Sequence, residues 1–238
     1  MQEDRAMRVM TALVLAAVAV PAVAQGTADY DFKYSYPAQA GRIAPLKAWL
    51  EADRAKLRTS TARDAAGDRR ESKRGGFPFR KHDASREWQV VTDTPRFLSL
   101  SSVSYGYTGG AHGSTASGSM VWDKRVGKRL DPKEVFVSNA ALQAAVMPTW
   151  CKWMRAERDR RAGGPMPSDG IFGKCPPVKD VTVLLGSSNG RAFDRIGVIA
   201  DQYVVGSYAE GQYETTVPVS AAVLRAVKPE YRGAFMVR

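Results

Sequence analysis

Residues 105–113 read Tyr-Gly-Tyr-Thr-Gly-Gly-Ala-His-Gly, a strand running straight into a tight reversal. Val103, Tyr105 and Tyr107 alternate, which is the period of one strand face. A glycine pair, one of the chain's two histidines and a further glycine follow. Glycine admits backbone angles and close approaches that a Cβ forbids, so the run predicts a built turn. Residues 114–122 then return as the partner strand, with Ala116, Gly118, Met120 and Trp122 on one face.

Upstream, Tyr30, Phe32, Tyr34 and Tyr36 occupy every second position, a strand face that ends at Pro37. A helix follows, with Pro45 in its first turn and Leu46, Trp49, Leu50 and Leu57 at helical spacing. It fades into residues 63–76, where Arg69, Arg70, Lys73 and Arg74 crowd together. That stretch reads either as a basic binding arm or as a solvated helix end and loop. Residues 87–91 and 96–107 are predicted strands around a turn at Thr92-Asp93-Thr94-Pro95. The apolar parity changes between Leu98, Leu100 and Val103, Tyr105, Tyr107, which predicts a bulge near Ser101 and Ser102.

Downstream, residues 123–127 and Asp131-Pro132 are predicted turns flanking a short extended piece, 128–130. Asn139 is expected to cap a helix carrying Leu142, Ala145, Val146, Trp150, Trp153 and Met154. Pro148 should kink or split that helix, and Gly163-Gly164-Pro165 should end it. Strands are predicted over 181–185, 192–200, 203–208 and 212–217, with a hairpin signal at Ser188-Asn189-Gly190. Ser220 caps a last helix reaching Val227. Helices and strands occur in runs without βαβ alternation. The predicted class is therefore α+β, an antiparallel β-sheet packed with helices in a single domain.

Residues 1–24 have the layout of a secretory signal. Arg5 and Arg8 form the positive end, residues 12–20 the apolar run, and Ala22-Val23-Ala24 the cleavage pattern. The apolar run is too short to span a bilayer. The expected organisation is a signal peptide over 1–24 and one domain over 25–238, with an N-terminal strand and helix (28–76) and a core (77–238). The expected location is periplasmic or secreted, without a membrane span. Two cysteines, Cys151 and Cys175, in an oxidising compartment argue for one disulfide over two buried free thiols. Closing that loop is worth roughly 3–4 kcal/mol in the chain-entropy account.

The chain carries 35 Lys+Arg against 24 Asp+Glu, and the signal takes two of each, so the exported part keeps the net +11. Outside the cytoplasm the anionic neighbours are envelope polymers and lipid headgroups, and nucleic acid is not an expected partner. Solubility alone is the equally simple reading of that charge.

Three segments together resemble the RsiV/PdaC-type extracytoplasmic domain. They are Tyr107-Thr108-Gly109-Gly110-Ala111-His112-Gly113, the turn from Trp122-Asp123 to Gly127-Lys128-Arg129-Leu130, and residues 201–211, Asp-Gln-Tyr-Val-Val-Gly-Ser-Tyr-Ala-Glu-Gly. That family includes the outer part of a lysozyme-sensing anti-sigma factor and an accessory domain of a peptidoglycan deacetylase. The resemblance spans residues 29–227 and implies an α+β domain that acts by binding. Neither a sigma-binding segment nor a deacetylase domain is expected here, and the +11 charge disfavours a cationic lysozyme as partner.

The candidate binding surface joins Tyr107, Thr108, Gly109, Gly110 and His112 to Tyr208 and Glu210. Its expected ligands are peptidoglycan, another anionic envelope polymer or an envelope protein. The alternatives are an envelope-glycan hydrolase using His112 and Glu210, with Asp201 as a further acid, or an inhibitor of a lytic enzyme. A competing reading commits His112 to capping its own turn, and Trp88, Trp122, Trp150 and Trp153 are core candidates before they are sugar platforms. With His82 and His112 the only histidines, no zinc-type spacing exists, and neither metal nor cofactor is expected.

Overall fold

The computed structural model describes residues 25–238; the expected signal peptide lies outside them. Strand β1 (Gln25–Gly26) leads into β2 (Tyr30–Ser35), and Tyr30, Phe32, Tyr34 and Tyr36 are all buried, as their alternation predicts. After the one-turn helix α1 (Ala38–Gly41), helix α2 runs Ala44–Gly75 unbroken. Its 32 residues span about 48 Å at 1.5 Å per residue. The charge-dense stretch after residue 63 is thus the second half of a helix and not a loop. Buried Ala65 and Ser72 hold it to the body, and Asp68 and Arg69 tie it to His82 and Asp29.

Because α2 carries the chain back along the sheet, β3 (His82–Asp93) starts at the same end as β2. The two pair in parallel, Tyr30 opposite His82 and Ser35 opposite Glu87. This corrects the expectation that no βαβ unit is present. The remaining pairs are antiparallel: β3 with β4 (Phe97–Tyr107), β4 with β5 (Ser114–Asp123), and β5 with β6 (Lys128–Leu130). The six strands form one sheet in sequence order.

β4 keeps an unbroken register with β5, so no bulge lies at Ser101 and Ser102. The irregularity is in β3, between Val90 and Thr92. The apparent parity change in β4 has another cause. Phe97, Leu98, Ser99 and Leu100 are all buried because both faces of the sheet are covered there, whereas Val103 is 48% exposed.

One face packs on α2 and buries Leu98, Leu100, Met120 and Trp122 together with the β2 aromatics. The other contributes Phe97 and Val121 to a second core, shared with a three-stranded antiparallel sheet and the later helices. That sheet consists of β7 (Thr182–Gly186), β8 (Arg195–Ala200) and β9 (Tyr213–Pro218). Helix α3 (Asn139–Ala162) is capped by Ser138, whose hydroxyl accepts from the Ala141 amide at 3.1 Å, and not by Asn139. Pro148 sits inside it without splitting it, with Val146, Met147, Trp150 and Cys151 buried around the break in hydrogen bonding. Cys151 and Cys175 form the expected disulfide, with Cα atoms 5.7 Å apart. Helix α4 (Ala221–Ala226) follows, its Ser220 cap accepting from the Val223 amide.

Among the described residues no helix is long and apolar enough to cross a membrane.

Candidate functional site

The turn between β4 and β5 and the segment 201–211 meet in space. Gly106 faces Ser114 across the hairpin, and the intervening loop carries His112 to the surface. Two glycines make that path passable. Gly109 has φ +96°, with the Arg80 stem running beside it, 3.1 Å from where a Cβ would sit. At Gly113 a Cβ would fall inside the Tyr105 ring. Both positions exclude side chains for a stated reason, and the sequence run is a built turn in that sense.

The second segment does not form the strand predicted over residues 203–208. It makes a tight turn, in which the Val204 amide donates to the Asp201 carbonyl and the Tyr203 amide to that of Gly206. A 3₁₀ turn at Tyr208–Glu210 follows. Competition from side chains explains the difference, because Asp201 and Gln202 are drawn onto β5. The Asp201 carboxylate accepts from the Ser117 amide and hydroxyl and from the Gln212 side-chain amide. Thr115 donates its hydroxyl to Gln202 Oε1 at 2.7 Å. The turn is therefore riveted to the strand that leaves the His112 loop.

What this positions is a group of three rings. His112 stacks on Tyr208 with ring centroids 4.0 Å apart, and Tyr203 lies 6.0 Å from Tyr208. His112 Nδ1 lies 2.8 Å from the Gly113 carbonyl, which can only accept, so Nδ1 carries the proton of the neutral ring. Nε2 is then free to accept from the Tyr203 hydroxyl, 3.4 Å away. Tyr203 is 57% exposed and holds φ +68°, the left-handed region, alone among the described non-glycine residues. A tyrosine there is backbone strain kept by its surroundings, a feature that gathers at binding surfaces.

Glu210 has a different role from the one its spacing suggests. Its carboxylate accepts from the Tyr213 hydroxyl at 2.6 Å and from the Ser207 amide at 2.7 Å. Those bonds, the tyrosine's first, hold its pKa below the ordinary glutamate value. Burial, reinforced by Glu210, pushes Tyr213 up to about 12. No hydrogen bond or ion pair joins Glu210 to His112 among the described residues. Arg161 Nη1 donates to the Glu210 carbonyl while its guanidinium lies 3.9 Å over the Tyr213 ring.

The loop's first half goes elsewhere. Thr108 and Gly109 line a cleft of about 260 Å³ beside the end of α2, while Tyr107 pairs with Asp83 in the sheet and Gly110 is exposed. Of the seven candidate residues, His112 and Tyr208 thus form a ring platform, Thr108 and Gly109 line a neighbouring cleft, Tyr107 and Glu210 are structural support, and Gly110 is exposed in the loop. Sequence reasoning leaves Tyr203 out of the site, and its only signal is membership of the same tyrosine-glycine segment. Trp88, Trp122 and Trp150 are core. Among the described residues no cluster of three or more histidine, cysteine or carboxylate side chains could hold a metal ion.

The family model described as deacetylase PdaC matches residues 24–115, less than half of the chain but including β2, α2 and the His112 loop. No curated protein matches. Among solved structures, a DUF3298 family protein from Pseudomonas aeruginosa PAO1 is 20% identical over 93% of this chain and 95% of its own, with a TM-score of 0.57. A member of the same family from Bacteroides fragilis is 16% identical over 86% of this chain and 87% of its own, with a TM-score of 0.48. The PdaC side of the resemblance thus has a family-model match over the N-terminal part, and the fold as a whole is similar to that of the Pseudomonas aeruginosa protein.

Proposed function

We propose that this chain is an exported binding domain that recognises a component of the cell envelope, peptidoglycan foremost, through His112, Tyr203 and Tyr208. The observation that carries the reading is the ring stack itself, with His112 and Tyr203 exposed on a half-buried Tyr208. Flat, amphipathic faces suit sugar rings and peptide groups, and Tyr203 is held there in a conformation that folding alone does not favour. The match to a deacetylase PdaC model points toward the same class of ligand. Hydrolysis is less well supported, since Glu210 is occupied by Tyr213 and Ser207 and the His112 Nδ1 proton by its own turn. Export after Ala24 accords with the disulfide, which belongs in an oxidising compartment.

Co-sedimentation with purified peptidoglycan sacculi tests the reading. Wild type should pellet with the sacculi, and Tyr208→Ala should lower retention at least about tenfold, the order expected from removing one stacking ring. Retention unchanged in Tyr208→Ala, or sacculi cleared by wild type, would overturn it. Fractionation with N-terminal sequencing checks the address, with Gln25 as the expected first residue.

A further inference from the structure

The cleft beside the end of α2 meets the His112 loop at Thr108 and Gly109, shares no residue with the ring platform, and has a different chemistry. Its walls include Asp68, Glu71, Phe77, Phe79, Arg80 and Gly109, around about 260 Å³. Asp68 has one oxygen, Oδ2, 3.0 Å from Nε2 of His82, a side chain only 2% exposed, while the carboxylate itself is 58% exposed. The buried ring fixes the orientation of the carboxylate, and Oδ1 has no hydrogen-bond or ion-pair partner among the described residues. His82 is held in turn by stacking on Phe79, whose other neighbour is the Arg69 guanidinium 4.2 Å away.

Arg80 supplies the opposite charge. Its stem passes over Gly109, its side chain is exposed, and it makes no ion pair or hydrogen bond among the described residues. Glu71 is already paired with Arg74 at 2.9 Å, so Asp68 and Arg80 are the charges left for a ligand. Phe77, 53% exposed, adds an apolar wall.

We propose that this cleft binds a zwitterionic amino-acid group, its ammonium on Asp68 and its carboxylate on Arg80. A simple anion would meet the two carboxylates, and a simple cation the unpaired guanidinium. A group carrying both charges satisfies each, and a guanidinium holds a carboxylate in two-point fashion. The volume suits the head of an amino acid and is small for a whole disaccharide. Such groups occur in envelopes as the free amino-acid ends of peptidoglycan side chains, and also as free solutes. The inference does not depend on the ring platform and stands or falls separately.

The test is chemical-shift titration of the isotope-labelled chain with diaminopimelic acid, its doubly N-acetylated form (anionic) and its dimethyl ester (cationic). The zwitterion should bind at least about tenfold more tightly than either derivative, shifting Gly109 and Phe79 resonances. Asp68→Asn should remove the preference over the acetylated acid, and Arg80→Gln the preference over the ester, while Tyr208→Ala should change neither. Equal affinity for all three probes, or no shifts at Gly109 and Phe79 at the solubility limit, would overturn the assignment whatever the variants do. A soluble peptidoglycan side-chain peptide binding as tightly as the free amino acid assigns the group to the envelope polymer; binding of the free amino acid alone assigns it to a solute.

Discussion

Under α2 the six-stranded sheet buries Tyr30, Phe32, Tyr34 and Tyr36; on its far side the core is built from Val183, Leu185, Ile196, Val198 and the helix residues Leu142, Val146 and Trp150. The reason for the contrast lies in the covering helices. α2 buries few apolar side chains on the sheet, chiefly Leu46, Leu50 and Ala65 with Trp49 and Leu57 partly buried beside them, and is rich in charge elsewhere. Tyrosine suits that partner, since its ring is buried while its hydroxyl reaches the helix. Tyr34 donates to Asp53 at 2.7 Å, accepts from Trp88 Nε1 at 2.9 Å, and shares Asp53 with Arg86; Tyr36 donates to Glu51. The far core has fewer such links, Trp150 to the Val198 carbonyl and Tyr213 to Glu210, because α3 brings its own apolar face. One face of the sheet is therefore held mainly by packing, the other by packing threaded with a network of hydrogen bonds.

The largest expected effects fall in the packed core. Trp150 is fully buried and donates its indole N–H to the Val198 carbonyl at 3.2 Å. Trp150→Ala should cost about 3–5 kcal/mol, read as a lowered urea midpoint at unchanged slope, because a cavity opens where nothing can collapse. Should it cost no more than a surface change, the two cores are not built as described. Replacing Cys151 and Cys175 by serine should cost about 3 kcal/mol through the 24-residue separation that the bridge closes, measured by the same unfolding curve.

The threaded core is distinguished by alkali. Burial, and then the Asp53 hydrogen bond, pushes the Tyr34 phenol far above its ordinary value, and burial with Glu51 pushes Tyr36 up to about 12. Both phenols hold their protons longer folded than unfolded. Their contribution to stability is thus complete below pH 10 and is lost as pH rises toward and through about 12. Tyr34→Phe should cost about 1–2 kcal/mol at neutral pH, since Trp88 loses its acceptor, and it should flatten the alkaline limb of the stability profile. An alkaline limb that stays equally steep in Tyr34→Phe and Tyr36→Phe would place the sensitivity elsewhere, with Tyr213 the next candidate.

Much of this arrangement is legible in the residues. The every-second-position aromatics of β2, the return of β5 at Met120 and Trp122, and the Ser220 cap all follow from local periodicity and capping chemistry. The departures share a cause. Residues 63–75 look like a solvated tail because their anchors, Asp29 (40 residues from Arg69) and His82 (14 from Asp68), lie outside the helix and beyond its periodicity, and without that helical length the parallel pairing of β2 and β3 cannot be foreseen. The strand expected at 203–208 fails because Asp201 and Gln202 prefer partners on β5, more than 80 residues earlier. The glycine-tyrosine runs make a meeting of His112 with Tyr208 a reasonable hope, but local pattern carries no information about a contact 96 residues apart. The commitment of Glu210 to Tyr213 is open to reading, since the two stand three residues apart around a glycine.

The smallest expected effect is the one that separates fold from site. Tyr203 sits at φ +68°, where a tyrosine side chain is strained and asparagine is tolerated, and its hydroxyl bond to His112 is long at 3.4 Å. Most of what it does for stability is therefore a cost. Tyr203→Asn should raise stability by roughly 0.5–1 kcal/mol, part of the strain such a residue stores, while lowering retention on sacculi. Both readings come from one purified variant, by urea unfolding and by co-sedimentation. A gain in stability with no loss of retention would remove Tyr203 from the platform and leave His112 and Tyr208 to carry it. A loss of stability would mean that the ring contributes more to the turn than its backbone costs, and the argument from strain to recognition would fail at that residue.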